Sequence, residues 1–293
     1  MFTLAHLSDP HLAPLPTPAP RELLSKRGLG YLNWLRKRRR IHRPEALAAL
    51  VADLAARHAD HIAVTGDLVN LSLSNEFAPA RGFLERLGPP DRVTIVPGNH
   101  DSYVRAAADF APRHWGEYMR GDAGESFPFV RRRGPLALIG LSTSLPTWPF
   151  AATGRLHGDQ LARLDSLLAE LGREGHFRVV LIHHPPVAKA NYFRRLTDAA
   201  PLREVLRKQG AELVLHGHHH AAELVWLAGP WAAIPCIGVP SASGAPDHHD
   251  DPAGYNLYEI DGKAGAWHCV MVNHALRGDG LGFAETGRQR LGD

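Results

Sequence analysis

Five short polar runs in this 293-residue chain contain side chains that can bind metal ions. Each run directly follows an apolar stretch that is typical of a buried strand, and each supplies aspartate, asparagine or histidine. One such residue after a strand is weak evidence, because many of them only form turns or cap helices. Loops at the carboxyl ends of parallel strands, however, meet at one edge of an α/β sheet, where sites form. The runs are Asp9-Pro10-His11, Gly66-Asp67, Gly98-Asn99-His100-Asp101, His183-His184 and His216-Gly217-His218-His219-His220.

The residue types in these runs indicate which metals they suit. Oxygen donors combined with imidazoles favour Mn, Fe, Co or Zn over Mg or Ca, which prefer all-oxygen shells. Seven donors are too many for one four-coordinate ion and suit two ions that share a carboxylate. A content of 19 histidines also makes metal binding the first hypothesis to examine. The seven candidate ligands are Asp9, His11, Asp67, Asn99, His183, His218 and His220.

The elements that must position these side chains follow from the apolar pattern. Near-continuous runs of Val, Ile and Leu predict strands that are buried on both faces. Helical periodicity lies between them, at 47–54, 161–171 and 202–206. Strands and helices alternate to about residue 220, which predicts an α/β fold. Only strand-like runs follow, which predicts a second, more antiparallel sheet near the C-terminus. The predicted strands cover 2–8, 61–65, 93–96, 136–141, 178–182, 212–215, 223–227, 232–239, 255–260 and 266–272.

Composition limits the class of protein. Hydrophobic residues make up 44% and charged residues 22% of the chain, which is ordinary for a soluble globular protein. The N-terminus shows neither a basic nor an apolar leader region, so the expected location is the cytosol. Cys236 and Cys269 are too few for a disulfide framework, and we expect two buried thiols in strands. Ser241 and Ser243 lie in no nucleophile-elbow pattern, and a Walker-type loop is absent from the sequence.

Taken together and in order, the five runs resemble the signature of the calcineurin-like metallophosphoesterases. The match extends from residue 9 to residue 220. The resemblance implies an α/β fold, a four-layer α-β-β-α sandwich with two central mixed sheets and a two-metal site at one edge. We expect a single metallophosphoesterase domain over 1–293, with a basic and aromatic insertion at about 14–43 and a mostly β part at about 221–275.

The resemblance also implies a role for each residue of the motifs. Two transition-metal ions, Mn, Fe or Zn, would be bound, and a hydroxide that bridges them would attack phosphorus in line. His100 would protonate the leaving oxygen, and Asp101 could help to keep His100 charged. Asp9, His11, Asp67 and His220 would hold the first ion, and Asp67, Asn99, His183 and His218 the second, with Asp67 bridging.

The function that this implies is hydrolysis of a small phosphodiester. The intact block at 98–101 and the chain length look most like the bacterial cyclic-nucleotide and glycerophosphodiester phosphodiesterase branch. A lipid-pyrophosphate hydrolase of the UDP-diacylglucosamine type is the first alternative. A non-catalytic binding module on the same fold is the second, and intact ligands argue against it.

A basic segment concentrates the positive charge of the chain. Residues 21–43 hold nine Lys or Arg and one acid, whereas the rest of the chain has 24 basic and 29 acidic residues. The run from Arg36 to Arg40 follows aromatic and apolar residues, which is typical of an anchor on an anionic membrane. Binding to nucleic acid or to a nucleotide substrate, and a capping helix with solvated arginines, are the alternatives. Gly28 and Gly30 are expected to break any long helix here.

The remaining polar features are expected to be structural. His216 and His219 flank ligands and are expected to be bystanders, while His184 either supports a ligand or only packs. Arg131-Arg132-Arg133 is expected to form a solvated turn before Gly134-Pro135. The run Asp247-His248-His249-Asp250-Asp251 is expected to be a solvated loop rather than a third metal site.

Overall fold

The computed structural model of the chain describes residues 1–187, 191–245, 251–280 and 282–292. No helix in these ranges is long and apolar enough to cross a lipid bilayer. The strands are β1 Phe2–Leu7, β2 His61–Val64, β3 Val93–Ile95, β4 Phe129–Arg133, β5 Leu136–Gly140, β6 Phe177–Leu181, β7 Leu213–His216, β8 Glu223–Leu227, β9 Ile234–Gly238, β10 Gly254–Lys263, β11 Ala266–Leu276 and β12 Phe283–Leu291. The α-helices are α1 Lys26–Asn33, α2 Arg39–Ile41, α3 Pro44–Arg57, α4 Phe77–Leu87, α5 Phe110–Trp115, α6 Gly158–Arg173 and α7 Ala199–Gln209.

The strands form two mixed sheets. The first has the order β12-β11-β10-β1-β2-β3, in which β1, β2 and β3 are parallel and the other neighbours are antiparallel. The second has the order β4-β5-β6-β7-β9-β8, in which the four inner strands are parallel and both edge strands antiparallel. The parallel strands have near-continuous apolar sequences because both of their faces are covered.

Alternate side chains of the strands enter different apolar layers. In β5, Leu136 and Leu138 belong to the cluster between the sheets, whereas Ala137 and Ile139 pack with α6 and α7. The helices α3 and α4 share their buried apolar side chains with the first sheet. This arrangement confirms the predicted four-layer α-β-β-α sandwich with two central mixed sheets.

The prediction of a separate antiparallel sheet near the C-terminus is wrong. β10, β11 and β12 extend the first sheet from β1, and β8 and β9 complete the second sheet beside β7. Leu4 of β1, for example, pairs with Tyr258 of β10. Periodicity within a segment cannot reveal such pairing, because the partners come from opposite ends of the chain. The two thiols are buried in strands as expected, Cys236 in β9 and Cys269 in β11.

The arginine run at 131–133 lies in β4 and not in the predicted solvated turn. The side chain of Arg131 is buried, and its guanidinium donates hydrogen bonds to the backbone carbonyls of Val93, Arg120 and Glu117. The adjacent Arg132 is exposed. A long cationic side chain can occupy a buried strand position when carbonyl groups accept its donors, so a polar pattern alone mispredicts this element.

The basic segment forms a helical cap over the carboxyl ends of the central strands. A short helical turn at Pro20–Leu24 leads into α1, and a wide π-helical turn at Trp34–Arg38 leads on into α2. Gly28 and Gly30 lie inside α1, so the expectation that they break the helix is wrong. A Cβ atom at Gly30 would lie 2.8 Å from the hydroxyl oxygen of Tyr103. Glycine therefore allows α1 to approach the loop after β3 closely.

Candidate metal centre

The seven predicted ligands come together at one edge of the sandwich. They lie in the loops that directly follow β1, β2, β3, β6 and β7. Six of them are buried, and only His220 is partly exposed. The predicted ligands therefore lie together, because the carboxyl ends of parallel strands share an edge of the sheet.

Five of these residues have a left-handed backbone, which is uncommon for residues that carry a side chain. Glycine is the residue that normally marks this conformation, so the sequence contains no sign of it. These five residues lie in the turns that follow β1, β2 and β7. The φ angles are 52° at Asp9, 37° at His11, 56° at Asp67, 71° at His218 and 57° at His220.

Backbone carbonyls fix the orientation of three imidazole rings. His11 donates from Nδ1 to the carbonyl of Val69 at 3.1 Å, and His183 donates from Nδ1 to that of Thr65 at 2.6 Å. His218 uses the other nitrogen, with Nε2 donating to the carbonyl of Arg194 at 2.7 Å. Each ring thus directs its other nitrogen to the centre of the site, the arrangement typical of metal-binding histidines.

Backbone N–H groups hold the carboxylates of Asp9 and Asp67, each through one oxygen. Asp9 Oδ2 accepts a hydrogen bond from the backbone N–H of His218 at 3.0 Å, and Asp67 Oδ1 accepts one from that of His100 at 2.7 Å. The other oxygens face imidazoles. Asp67 Oδ2 lies 3.7 Å from Nε2 of His11 and 3.4 Å from Nε2 of His183. Asp67 therefore lies between two groups of donors.

The remaining donor atoms fit two cations. Oδ1 of Asp9 is buried and accepts no hydrogen bond from the described residues, and Nε2 of His220 lies 3.2 Å from it. Two groups of donor atoms share Asp9, and the atoms of each group lie within 4.8 Å of one another. One group adds His11 and His220, and the other adds Asp67 and His183. A buried carboxylate oxygen without a donor, among imidazole nitrogens, is an environment that a bound cation would complete.

Electrostatics favours the protonation states that bind cations. Burial lowers the pKa values of His11 and His218 well below their ordinary value, so both rings are neutral. Burial opposes the charge of Asp67, but neighbouring histidines outweigh it, and the pKa of Asp67 is lowered. Burial likewise disfavours the charged form of His183, yet Asp67 raises the pKa of His183 to about 9. A metal ion bound there would displace that proton.

His100 lies beside these donors in a network of its own. Its Nδ1 donates to the carbonyl of Asn70, and its Nε2 accepts a hydrogen bond from Nη1 of Arg38 at 3.2 Å. The ring stacks on Tyr103 with the centroids 5.3 Å apart. Burial and the charge of Arg38 lower the pKa of His100 to about 3, so the ring is neutral without a substrate.

Asp101 has a different geometry from the one that the sequence predicts. Instead of the ring of His100, its carboxylate faces the backbone of neighbouring loops. It accepts hydrogen bonds from the N–H groups of Asp67, Leu68 and Gly98, each at 2.9 Å. The carboxylate therefore ties the loop after β3 to the loop after β2. Adjacency to His100 in sequence did not indicate this, because successive side chains of a turn can point in opposite directions.

An open cleft of about 370 Å³ lies over these groups, and the motifs do not single out several of its lining residues. The π-helical turn brings Arg38 into the cleft, where Nη2 donates to Nε2 of His42 at 3.4 Å. Trp34 is buried and stacks parallel to the ring of His42 at 6.4 Å. Trp34, Arg38 and His42 recur every four residues. This spacing places them on one helical face and is the sequence signal for them.

The histidines next to the ligands bond elsewhere. His184 accepts a hydrogen bond at Nδ1 from the hydroxyl of Thr143 at 2.7 Å. Nδ1 of His219 lies 2.8 Å from the carboxylate of Glu223. His216 is buried and contacts the carbonyl of its own loop at 3.0 Å. These contacts hold the three side chains against the loops that carry His183 and the predicted ligands after β7, and a donor atom of His184 also lies within 4.8 Å of those of His183 and His218.

The histidine and aspartate run at 247–251 lies outside the described residues, apart from Asp251. Asp251 is exposed, and its Oδ2 accepts a hydrogen bond from the backbone N–H of Ala222 at 2.7 Å. Ala222 follows His220 closely in sequence, so the end of this run lies beside the loop after β7.

Comparison with known proteins agrees with this site. A family model described as calcineurin-like phosphoesterase matches residues 2–222, the part of the chain that contains all seven predicted ligands. The chain belongs to the calcineurin-like phosphoesterase family. This phosphoesterase is therefore a metal-dependent hydrolase of a dinuclear family, and the donor groups that share Asp9 are its candidate metal ligands.

Individual relatives of this phosphoesterase point the same way. A protein of Synechococcus sp. named "Probable cyclic nucleotide phosphodiesterase" is 28% identical over 242 residues, which cover 81% of this chain and 85% of the relative. A dimetal phosphatase from Danio rerio aligns with a TM-score of 0.61 at 12% identity, over 99% of this chain and 98% of its own. A purple acid phosphatase from yellow lupin aligns with a TM-score of 0.60 at 11% identity, over 97% of this chain and 52% of its own. The two structural alignments show a shared fold.

Proposed function

We propose that this phosphoesterase hydrolyses a small phosphodiester by in-line displacement at phosphorus, with a cyclic nucleotide or a glycerophosphodiester as the substrate class. The observation that carries the proposal is the set of donor groups that contain Asp9 and Asp67, next to a cleft that Asp67, His100 and Arg38 line. Two ions in such groups can clamp the attacking and leaving oxygens of a displacement. The name of the Synechococcus relative supports a diester rather than a monoester.

The ligand assignment is part of this proposal. When bound, the two ions would supply a hydroxide nucleophile and balance charge on the phosphate oxygens. Asp67 suits the bridging position because its Oδ2 faces His11 on one side and His183 on the other. Mixed nitrogen and oxygen donors favour Mn, Fe or Zn. The proposed ligands are Asp9, His11, Asp67 and His220 for one ion, and Asp67, Asn99, His183 and His218 for the other.

The protein's own side chains would handle the phosphate and the proton. His100 would protonate the leaving oxygen, because an alkoxide is a poor leaving group near neutral pH. Arg38 would donate to a phosphate oxygen, since its guanidinium lies in the cleft and forms no ion pair with a described carboxylate. A phosphate anion next to His100 would favour the protonated ring. Asp101 would keep the loops after β2 and β3 in place.

The whole chain, 1–293, would work as one metallophosphoesterase domain. The strands β10, β11 and β12 support this, because they complete the sheet that begins with β1. The inserted segment at 14–43 supports it too, because it supplies Arg38 to the same cleft as the ligands.

A substrate panel with metal analysis tests the proposed function. The protein would be supplied with Mn²⁺ and assayed on cyclic nucleotides, glycerophosphodiesters, UDP-lipids and phosphomonoesters. We expect the highest kcat/KM on a diester and no turnover by the Asp67→Ala variant. Turnover of monoesters alone would overturn the choice of diesters. Tight binding of a protein partner without turnover of any phosphoester would favour a binding module instead.

Exposed apolar side chains favour a second candidate, a lipid-pyrophosphate hydrolase of the UDP-diacylglucosamine type at a membrane surface. Leu29, Leu32 and Leu35 of the basic segment are exposed. Trp148 and Phe150, each 86% exposed, lie in the loop that a hydrogen bond from Lys26 joins to α1. Apolar side chains next to cations are what an anionic lipid surface attracts.

Vesicle binding separates this candidate from a soluble diesterase. Arg36, Arg39 and Arg40 are exposed, so replacing all three with Ser should release the protein from phosphatidylglycerol vesicles. Each charge contributes about 1 kcal/mol near such a surface. If the unaltered protein does not sediment with these vesicles at low salt, the lipid candidate fails.

A further inference from the structure

The cleft over the metal centre carries more positive charge than one phosphodiester requires. Lys26, Lys37, Arg38 and Arg194 line it, and Asp67 is the one acidic side chain among the described lining residues. Asp67 is a proposed metal ligand, so its charge is engaged by the ions. A phosphodiester brings a single negative charge, and Arg38 lies beside the position where that phosphate would react.

These four cations differ from the ion-paired lysines and arginines of the same chain. None of the four forms an ion pair with a carboxylate in the described part of the protein. Lys208, by contrast, lies 2.9 Å from the carboxylate of Asp165, and Arg178 lies 2.8 Å from that of Glu212. Cations that converge on a cleft without acidic partners are typical of sites that bind anions.

Lys26 has a well-defined position among them. Its Nζ donates a hydrogen bond to the hydroxyl oxygen of Thr147 at 2.9 Å and lies 4.0 Å from the centroid of the Tyr103 ring. Tyr103 also stacks on His100, so the same aromatic ring contacts both the ammonium and His100. The side chain is half-buried, and an ammonium in that environment is stabilised by an anion.

The helix that carries Lys26 is firmly held. The next residue, Arg27, is buried and donates from Nε to the carbonyl of Leu71 at 3.0 Å. The hydroxyl of Ser25 caps the start of α1 by accepting from the backbone N–H of Arg27. With the close approach of Gly30 to Tyr103, these contacts hold the start of α1, and the contacts with Thr147 and Tyr103 position the ammonium. A fixed cation loses little freedom when it binds an anion.

We propose that Lys26 binds a second phosphate group of the substrate, so that the natural phosphodiester also carries a phosphomonoester. This inference rests on the proposed function. A phosphomonoester brings the additional negative charge that the cleft lacks, and lysine binds it as a point charge. Arg38 would then serve the reacting phosphate and Lys26 the distant one.

Two nitrophenyl diesters that differ only in the second alcohol test this. One carries a hydroxybutyl group and the other a phosphobutyl group. We expect the unaltered protein to prefer the phosphobutyl diester by about tenfold or more in kcat/KM. Lys26→Met should abolish the preference, because it should lower kcat/KM on the phosphobutyl diester far more than on the hydroxybutyl diester. Lys208→Met, a surface lysine that is ion-paired away from the cleft, should behave like the unaltered protein.

Equal kcat/KM values of the unaltered protein for the two diesters would overturn the proposal. An equal loss of kcat/KM on both diesters in Lys26→Met would overturn it too. If neither diester is cleaved, the proposed function fails, and equilibrium binding still decides about Lys26. Butane bisphosphate should then bind more tightly than butyl phosphate to the metal-loaded protein, and Lys26→Met should remove the difference. Equal affinities of the two probes for the unaltered protein would contradict the second subsite.

Discussion

Nη1 of Arg38 lies 3.2 Å from Nε2 of His100, although 62 residues separate the two along the chain. The contact joins the inserted basic segment to the loop after β3. It also orients both side chains, because the guanidinium can only donate and the ring nitrogen accepts. A phosphate that entered the cleft would meet a cation and an imidazole that are already side by side.

Arg38 should therefore matter more than its neighbours in the basic run. Arg38→Met should lower kcat/KM by about 10- to 100-fold, because a charge-assisted hydrogen bond to the phosphate is lost. Arg38→Lys should restore little of the lost kcat/KM, since an ammonium does not reproduce the planar fork of a guanidinium. Arg39→Met is the matched control, because that side chain is exposed. Metal loss in Arg38→Met, or an equal effect in Arg39→Met, would contradict this role.

Asp67 should be the least replaceable metal ligand, because one of its oxygens lies between His11 and His183. Asp67→Ala should lose both ions and all activity. Asn99→Ala should mainly weaken one ion, since it removes a single neutral donor. Elemental analysis of the purified variants measures both effects. Full metal content in Asp67→Ala would exclude the bridging position.

His100 should act on the leaving group. General acid catalysis contributes about 10²- to 10⁴-fold, and a nitrophenolate needs it far less than an alkoxide. His100→Ala should therefore lose that factor on an alkyl diester, lose much less on a nitrophenyl diester, and keep both metals. The ring nitrogens of His100 also lie near donor atoms of His11 and Asp67, so metal content is the necessary control. Equal losses on the two diesters would instead indicate a role in binding the phosphate.

The preference for a second phosphate should depend on pH. Burial lowers the pKa of Lys26 to about 8, so the ammonium is charged below that pH and loses its charge above it. The groups that face it are Thr147 and Tyr103, and burial raises the pKa of Tyr103 above its ordinary value. We expect the ratio of kcat/KM for the phosphobutyl and hydroxybutyl diesters to fall as pH rises through about 8.

This ratio cancels the titration of the metal centre, which both diesters share. The phosphomonoester stays dianionic in that range, since its second pKa is about 6. The Lys26→Met variant should give a ratio that does not change with pH. A decline of the same size in that variant would assign the effect to another group.

The buried guanidinium of Arg131 should stabilise the fold. Arg131→Met leaves the carbonyls of Val93, Arg120 and Glu117 without their donor, so it should lower the free energy of unfolding by about 3 kcal/mol. Arg132→Met on the exposed side of β4 should change it by less than about 0.5 kcal/mol. Urea unfolding of both variants measures the difference. Equal free energies of unfolding for the two variants would contradict the stabilising role of the buried guanidinium.

The clustering of the candidate ligands could be predicted from the sequence because each one follows a buried strand. Asp9 and Asp67 come after parallel neighbours, and such strands deliver their loops to one edge whatever the intervening chain does. The fold class followed from the same alternation of apolar runs. The sheet to which β10 belongs could not be predicted, because its partner β1 lies at the other end of the chain.

The direction of individual side chains was also beyond the sequence. Asp101 adjoins His100, yet its carboxylate faces the backbone of the Asp67 loop. Arg38 is one of five consecutive basic residues, and its four-residue spacing from Trp34 and His42 marks it only once the segment is known to be helical. The phase of this short helix depends on the burial of Trp34, which the sequence pattern does not reveal.

Five of the proposed ligand residues have a left-handed backbone, which lowers the stability of the fold at the positions that supply donors to the site. Each residue with a side chain in that conformation costs about 1 kcal/mol or more, and the surrounding core must hold it there. Glycine at Asp9 or His220 would relax the backbone and remove a donor in the same step. Selection for heat resistance alone would therefore favour glycine at these positions and remove the proposed metal donors.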